Sequence, residues 1–236
     1  MPTRLLFVPG FMQRGSAWAP VAELLPERYS SVLLDHEHHT LDGRLEEIAA
    51  AAGEGPTALV GYSLGGRVAL RAVLQHPERY AALVTVGAGG GIDKPGARTA
   101  RAEADERMAA WMEAMPIEDV VSVWERQPLF ADQSDALVDQ QREGRLSQDP
   151  RDLALLMRTA GQGAMDPFWF DLGRLELPLL ALSGSRDERY TAAARRIARE
   201  APNATARVVE EAGHAAQLQR PAEVARLIVD FLDAAL

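Results

Sequence analysis

The segment Gly61-Tyr-Ser-Leu-Gly65 offers the clearest chemistry in the chain. A G-x-S-x-G that follows an apolar run and opens an amphipathic one predicts a serine on a sharp strand-to-helix turn. Such a turn strains the serine backbone and leaves no room for a side chain two residues before or after it, hence the glycines. The turn would lift the Ser63 hydroxyl clear of a sheet. It would also set the Leu64 N–H at a helix start, where unpaired donors can steady a negative oxygen. A hydroxyl alone is a poor nucleophile or base. It needs a histidine to take its proton and a carboxylate to orient that histidine.

The chain has five histidines. His214, in Glu211-Ala-Gly-His-Ala215, falls between the last apolar run and the last helical stretch, on the rim expected for Ser63. His76 precedes Pro77 and reads as the end of the helix that Ser63 opens. The cluster Asp35-His-Glu-His-His39 holds metal-ligand residue types in His36, His38 and His39, but its spacing matches no strong metal pattern; a solvated or substrate-adjacent loop is expected. If the order is serine, acid, histidine, the acid follows the apolar run Leu179–Ser183. Asp187 fits, with Glu188 beside it as the competitor. A second oxyanion donor is expected from Pro9-Gly-Phe-Met12. Gly10 permits close backbone approach, the Phe11 N–H is the candidate, and Pro9 has no N–H to give.

These residues need a frame that brings them to one edge. Six short apolar runs, Leu5–Val8, Ser31–Leu34, Ala58–Gly61, Leu83–Val86, Leu179–Ser183 and Ala206–Val209, show little alternation, as strands buried on both faces do. Amphipathic stretches at Trp18–Leu25, Leu41–Ala52, Leu64–Gln75, Thr191–Glu200 and Ala222–Leu236 lie between and after them. This alternation predicts a three-layer α/β fold with a mostly parallel sheet. Between about Gly89 and Leu172 no strand is expected. Helical patterns at Arg98–Met115 and Asp135–Arg142 predict a helical lid, residues 89–172, inserted into a core made of 1–88 and 173–236. Gly87-Ala-Gly-Gly-Gly91 is the nearest thing to a hinge.

Composition narrows the class. Cysteine is absent, which excludes disulfides, thiolate catalysis and Cys-ligated metal. No run of 18 apolar residues exists, and the N-terminus reads as a strand and not a signal peptide, so a cytoplasmic location is the default. A formal net charge of −9 makes nucleic acid and anionic membranes poor partners. No phosphate loop, dinucleotide fingerprint or strong metal pattern appears, so no cofactor and no metal are expected.

With these residues placed, the chain resembles the α/β-hydrolase superfamily over nearly its whole length. Within it, the sequence is similar to the 2-succinyl-6-hydroxy-2,4-cyclohexadiene-1-carboxylate synthases of menaquinone biosynthesis. The segments that carry the likeness are Gly61-Tyr-Ser-Leu-Gly-Gly-Arg67, the Arg-rich stretch Arg98–Asp105, Trp124-Glu-Arg-Gln-Pro-Leu-Phe-Ala131, Gly161–Trp169 and Gly184–Tyr190. The chain departs in three places. The first apolar run corresponds to the superfamily's third strand, so its N-terminal hairpin is expected to be missing, the family's His-Gly-Phe is Pro9-Gly10-Phe11, and its D-x-P-G-H-G-x-S loop is Asp35-His-Glu-His-His-Thr40.

The resemblance implies a lyase that eliminates pyruvate from a cyclic polycarboxylate, with Ser63, His214 and Asp187 as catalytic residues. It implies substrate contacts from Tyr62, Arg67, Arg101, Trp124 and Arg145. Guanidinium pairs bidentately with carboxylate and stays charged, so local arginines can offset the repulsion of an acidic protein for a polyanion. Arg98 and Arg142 are helical neighbours that could take those roles instead. The same triad would serve an ester or carbon–carbon bond hydrolase, and a third reading is a non-catalytic receptor that keeps the fold.

Overall fold

Four inner strands too apolar to face water on either side demand helices on both, and the chain supplies them in alternation; the two edge strands, Tyr29–Leu33 and Ala204–Val209, are partly exposed and not buried on both faces as expected. The computed structural model describes residues 3–236. Its elements in order are β1 (Thr3–Val8), α1 (Ala19–Ala22), β2 (Tyr29–Leu33), α2 (Leu41–Ala52), β3 (Thr57–Tyr62), α3 (Leu64–Gln75) and β4 (Tyr80–Val86). Then come four helices without a strand, α4 (Pro95–Ala114), α5 (Ile117–Glu125), α6 (Asp135–Leu146) and α7 (Pro150–Ala160). The core resumes with β5 (Leu179–Gly184), α8 (Glu188–Glu200), β6 (Ala204–Val209), α9 (Ala216–Gln219) and α10 (Pro221–Ala235).

The six strands form one sheet in the order β2-β1-β3-β4-β5-β6, and every pairing is parallel. The chain therefore steps outward from β1 to β2 and then reverses to β3. The crevice at the carboxyl ends of β1 and β3 is where an open α/β sheet of this order receives ligands. Register places Gly61 beside Val8 and Tyr62 beside Val86, so the turns after β1, β3 and β4 meet there.

Alternate residues of the strands feed two cores. Leu6, Val8, Leu59 and Leu83 pack under α2, α3 and α8 through Ile48, Val68 and Ile197. Leu5, Phe7, Val60 and Val84 pack against α10 through Val224, Ile228 and Leu232. The inserted helices make a third, smaller core of Ala109, Met112, Val120, Val121, Leu153 and Met157, which Met12 of the β1 turn enters. No helix among the described residues is long and apolar enough to cross a membrane.

A further expectation shifts. The helix expected over Trp18–Leu25 is a 3₁₀ turn, Gly15–Trp18, followed by the single turn of α1. Pro26 disfavours helix in the residue before it. The glycine run Gly87–Gly91, the nearest thing to a hinge in the sequence, is bonded to the end of the inserted segment. The Gly90 carbonyl accepts from the Phe168 N–H at 2.9 Å and the Gly91 carbonyl from Trp169 Nε1 at 3.0 Å. A Cβ on Gly90 would lie 2.6 Å from the Trp169 ring, so the glycine is there to let the tryptophan pack.

Candidate active site

Ser63 sits where β3 passes into α3, with φ 50° and ψ −111°, a left-handed backbone that side-chain residues rarely adopt. The strain is held from two sides. Its N–H donates to the Val86 carbonyl at 2.8 Å, and its carbonyl accepts from the Arg67 N–H at 3.1 Å. The flanking glycines are a steric necessity. A Cβ on Gly61 would meet the Gly65 carbonyl at 2.7 Å, and one on Gly65 would meet the Val8 and Pro9 carbonyls at 2.4 and 2.3 Å. The first α3 N–H groups have no partner within the helix.

His214 comes from the loop after β6 and is almost fully buried. Its Nε2 lies 2.9 Å from Ser63 Oγ, and its Nδ1 lies 2.7 Å from Asp187 Oδ2. With the ring neutral, Nδ1–H donates to Asp187 and Nε2 is left free to accept the serine proton. Asp187 is the N-cap of α8. Its Oδ1 accepts from the Tyr190 N–H at 3.1 Å while Oδ2 faces the imidazole, so one carboxylate both caps a helix and orients the ring. Glu188 is exposed in the first turn of α8 and takes no part. Aromatic rings wall the imidazole in. Tyr190 lies 4.5 Å from it, Tyr62 5.3 Å and Phe130 6.3 Å between centroids.

The pocket over Ser63 is lined by Phe11 and Leu64, as well as Tyr62, Arg67, Arg101, Trp124 and Arg145, while His214 and Asp187 stand behind the serine and outside the lining. Trp124 of α5 stacks between Phe11 at 4.9 Å and Phe130 at 5.7 Å, closing the roof with rings. Burial pushes the Tyr62 hydroxyl above its ordinary range, so it remains a protonated donor.

The three arginines differ. Arg67 is buried, touches Met165 Sδ at 3.3 Å, and has no carboxylate partner among the described residues. Burial, the largest cause, pulls its pKa down to about 10, which still leaves a cation at neutral pH. Arg101 is held by Asp105 at 2.6 Å, one helical turn along α4. Arg145 of α6 binds Glu125 of α5 at 3.0 Å and Gln141 at 2.9 Å. The alternatives, Arg98 and Arg142, do not line the pocket; Arg98 pairs with Asp166 at 2.5 Å and Arg142 with Glu125.

Several lining residues escaped the sequence reading as site residues. Gln162 donates to the Tyr190 hydroxyl at 2.6 Å and accepts from Arg189 at 2.6 Å. Gln13, from the β1 turn, reaches Gln141 at 3.1 Å. Their signals are single residues in loops, and only the fold brings them together.

The histidine cluster lies elsewhere. His36 and His38 both bond through Nδ1 to Glu47, at 2.5 and 2.8 Å, and His39 lies 3.3 Å from Asp152. No metal-holding group of three such residues exists among the described residues. His76 caps the end of α3.

Comparison with known proteins places this geometry. The sequence matches the alpha/beta hydrolase family over residues 5–227. It is 33% identical to the 2-succinyl-6-hydroxy-2,4-cyclohexadiene-1-carboxylate synthase of Salmonella schwarzengrund (strain CVM19633), over 74% of this chain and 67% of that one. It is 28% identical to the synthase of the same name from Enterobacter sp. (strain 638), over 97% and 91%. A Bacillus subtilis (strain 168) relative, whose name gives that activity provisionally, is 29% identical over 74% of this chain; the match spans 65% of the relative's length, just under two thirds. The solved structure of MenH from S. aureus superposes with a TM-score of 0.92 at 26% identity, covering 99% of this chain and 94% of the other. The chain belongs to the alpha/beta hydrolase family.

Proposed function

We propose that this member of the alpha/beta hydrolase family is a lyase that eliminates pyruvate from a cyclic polycarboxylate in menaquinone biosynthesis, with Ser63 as the base. One observation carries the reading: the Ser63–His214–Asp187 relay opens into a pocket lined by four arginines, Arg67, Arg101, Arg145 and Arg189, of which Arg67 is buried with no carboxylate of its own. A site for a neutral ester has no use for that charge. A substrate with several carboxylates does.

The proposed chemistry follows from the contacts. The Ser63 hydroxyl gives its proton to His214 Nε2 as its oxygen takes a proton from a substrate carbon. The carbon's electron pair forms a ring double bond while the carbon–oxygen bond to the leaving fragment breaks, and that fragment departs as an enolate and becomes pyruvate on protonation. Asp187 steadies the imidazolium formed on the way. The N–H groups of Phe11 and Leu64 take the developing charge on oxygen, a contribution of about 10²–10³-fold for one donor. Arg67, Arg101 and Arg145 hold carboxylates, with Tyr62 and Trp124 against the ring. The helices of residues 95–160 act as a lid that keeps water from the carbanion-like centre. The substrate is a small anion, no cofactor takes part, and the setting is the cytoplasm.

The test is a coupled pyruvate assay with the cyclic precursor, run beside a panel of short aryl esters. Pyruvate release with weak ester turnover is the expected result. Rapid ester hydrolysis with no pyruvate would favour the hydrolase reading instead.

A further inference from the structure

The catalytic pocket has a neighbour. A groove beside α8 and the 3₁₀ turn Trp169–Arg174 is lined by Gly89, Gly91, Trp169, Ala192, Ala193 and Arg196, and it shares Arg67, Gln162, Arg189 and Tyr190 with the pocket over Ser63. Those four shared residues are the wall between the two spaces. The wall is held by side-chain bonds alone, Gln162 to the Tyr190 hydroxyl at 2.6 Å and Arg189 to Gln162 at 2.6 Å. Both bonds join side chains, and Arg189 is exposed.

The charges on this wall are unbalanced. Neither Arg67 nor Arg189 has a carboxylate partner among the described residues; the first touches a thioether and the second a neutral amide. Further out, Arg196 is neutralised. It pairs with Asp93, and its guanidinium lies 4.1 Å above the Trp169 ring. Cations thus run from the buried Arg67 to the half-open groove, whose own lining includes Ala192, Ala193 and Trp169, the last with Arg196 over its ring. A short carboxylate with a small apolar end suits that surface: two guanidinium forks for the carboxylate, and Ala192 and Ala193 for a methyl group.

We propose that this groove is a second site, for a small 2-oxo monocarboxylate, joined to the catalytic pocket through the Gln162–Tyr190–Arg189 partition. The inference rests on the lyase reading, which produces such a fragment next to Arg67. The ring product leaves under the lid, past Trp124 and Phe130. The small anion passes from Arg67 to Arg189 without waiting for the lid.

Pyruvate itself is the probe, titrated calorimetrically into the full chain with no substrate present. The wild type is expected to bind it. Arg189→Gln is expected to weaken binding at least fivefold, and Arg189→Lys to restore it to within twofold. Ala192→Phe, at an exposed position that lines the groove and not the catalytic pocket, is expected to weaken it at least fivefold with an unchanged melting temperature. Absence of binding to the wild type overturns the proposal. So does binding that survives either Arg189→Gln or Ala192→Phe, which would put pyruvate over Ser63 only. The titration needs no turnover. If the variants lose pyruvate as expected while the precursor assay yields none, the lyase reading fails and the carboxylate site stands.

Discussion

At position 63 the backbone is held at φ 50° so that one hydroxyl can face one imidazole, 2.9 Å away. Strain of this kind costs on the order of 1–3 kcal/mol and persists only where neighbours enforce it; here the Val86 carbonyl and α3 do so. Ser63→Ala is expected to lower kcat at least about 10³-fold with the fold intact, since it removes the group that meets the substrate proton. Asp187→Asn should cost about 10⁴-fold by presenting the wrong imidazole tautomer, whereas Glu188→Gln should stay within twofold; steady-state rates of the two variants separate the neighbouring acids. Arg67→Met should reduce kcat/KM about 10²-fold, the loss of one charge-assisted contact of ~2–3 kcal/mol, while circular dichroism shows a folded protein. Ser63, His214 and Asp187 were legible because each follows a strand, and all carboxyl ends of a parallel sheet lie on one rim. Gln162 and Arg189 were not, because nothing local distinguishes a loop glutamine or a helix-start arginine until the fold sets them against Tyr190.

The elements that carry these residues are rigid where the chemistry needs it. A methyl at Gly65 would fall 2.3 Å from the Pro9 carbonyl, which belongs to the turn that presents Phe11. Gly65→Ala should therefore separate α3 from β1 and lower the melting temperature by several degrees, together with activity, in a thermal scan. The inserted helices are tied together differently. Arg158 of α7 binds Glu106 at 2.8 Å and Glu113 at 2.5 Å on α4, an exposed network of small worth, and the buried Leu153, Ala154 and Met157 do the packing. Leu153→Ala should cost about 2–4 kcal/mol in a denaturant titration. In sequence, α4 and α6 were visible as charged helical patterns, but α5 and α7 were missed. Pro116 is the N-cap of α5 and Pro150 opens α7, positions where the ring fits a helix start and no bond is lost. The six strands were all found: the four inner ones are runs of apolar residues without alternation, which have few other fates, and the edge strands β2 and β6 carry shorter apolar runs beside exposed positions.

Across the whole molecule, falling pH withdraws stability at one buried histidine–carboxylate pair, His36 and Glu47. Burial, aided by the nearby Arg44, pulls the His36 pKa from its ordinary 6.5 to about 4. Its Nδ1–H serves Glu47, and its Nε2 is buried without a partner, so a second proton has nowhere to bond. Burial works against ionised Glu47, but bonds from His38, His36 and the His38 and Glu37 N–H groups outweigh it and hold the carboxyl at about 2. Both groups bind protons less readily folded than unfolded. His36 therefore withdraws stability as pH falls from 6.5 toward 4, and Glu47 as it falls from 4.5 toward 2. Exposed His38 has the opposite sign and, in solvent, little weight. The melting temperature should drop through the first window, and His36→Gln should flatten that drop; an unchanged profile would refute the assignment. With an overall charge of −9, attraction for a polyanion has to be local, and the arginine-lined pocket provides it. The central claim is that Ser63 moves a proton and forms no bond to substrate. Intact-protein mass spectrometry of the 25.7 kDa chain, sampled while the cyclic precursor is being turned over, tests it most directly. The account predicts accumulating pyruvate with the protein at its unmodified mass throughout; a covalent adduct on Ser63 during turnover would contradict it.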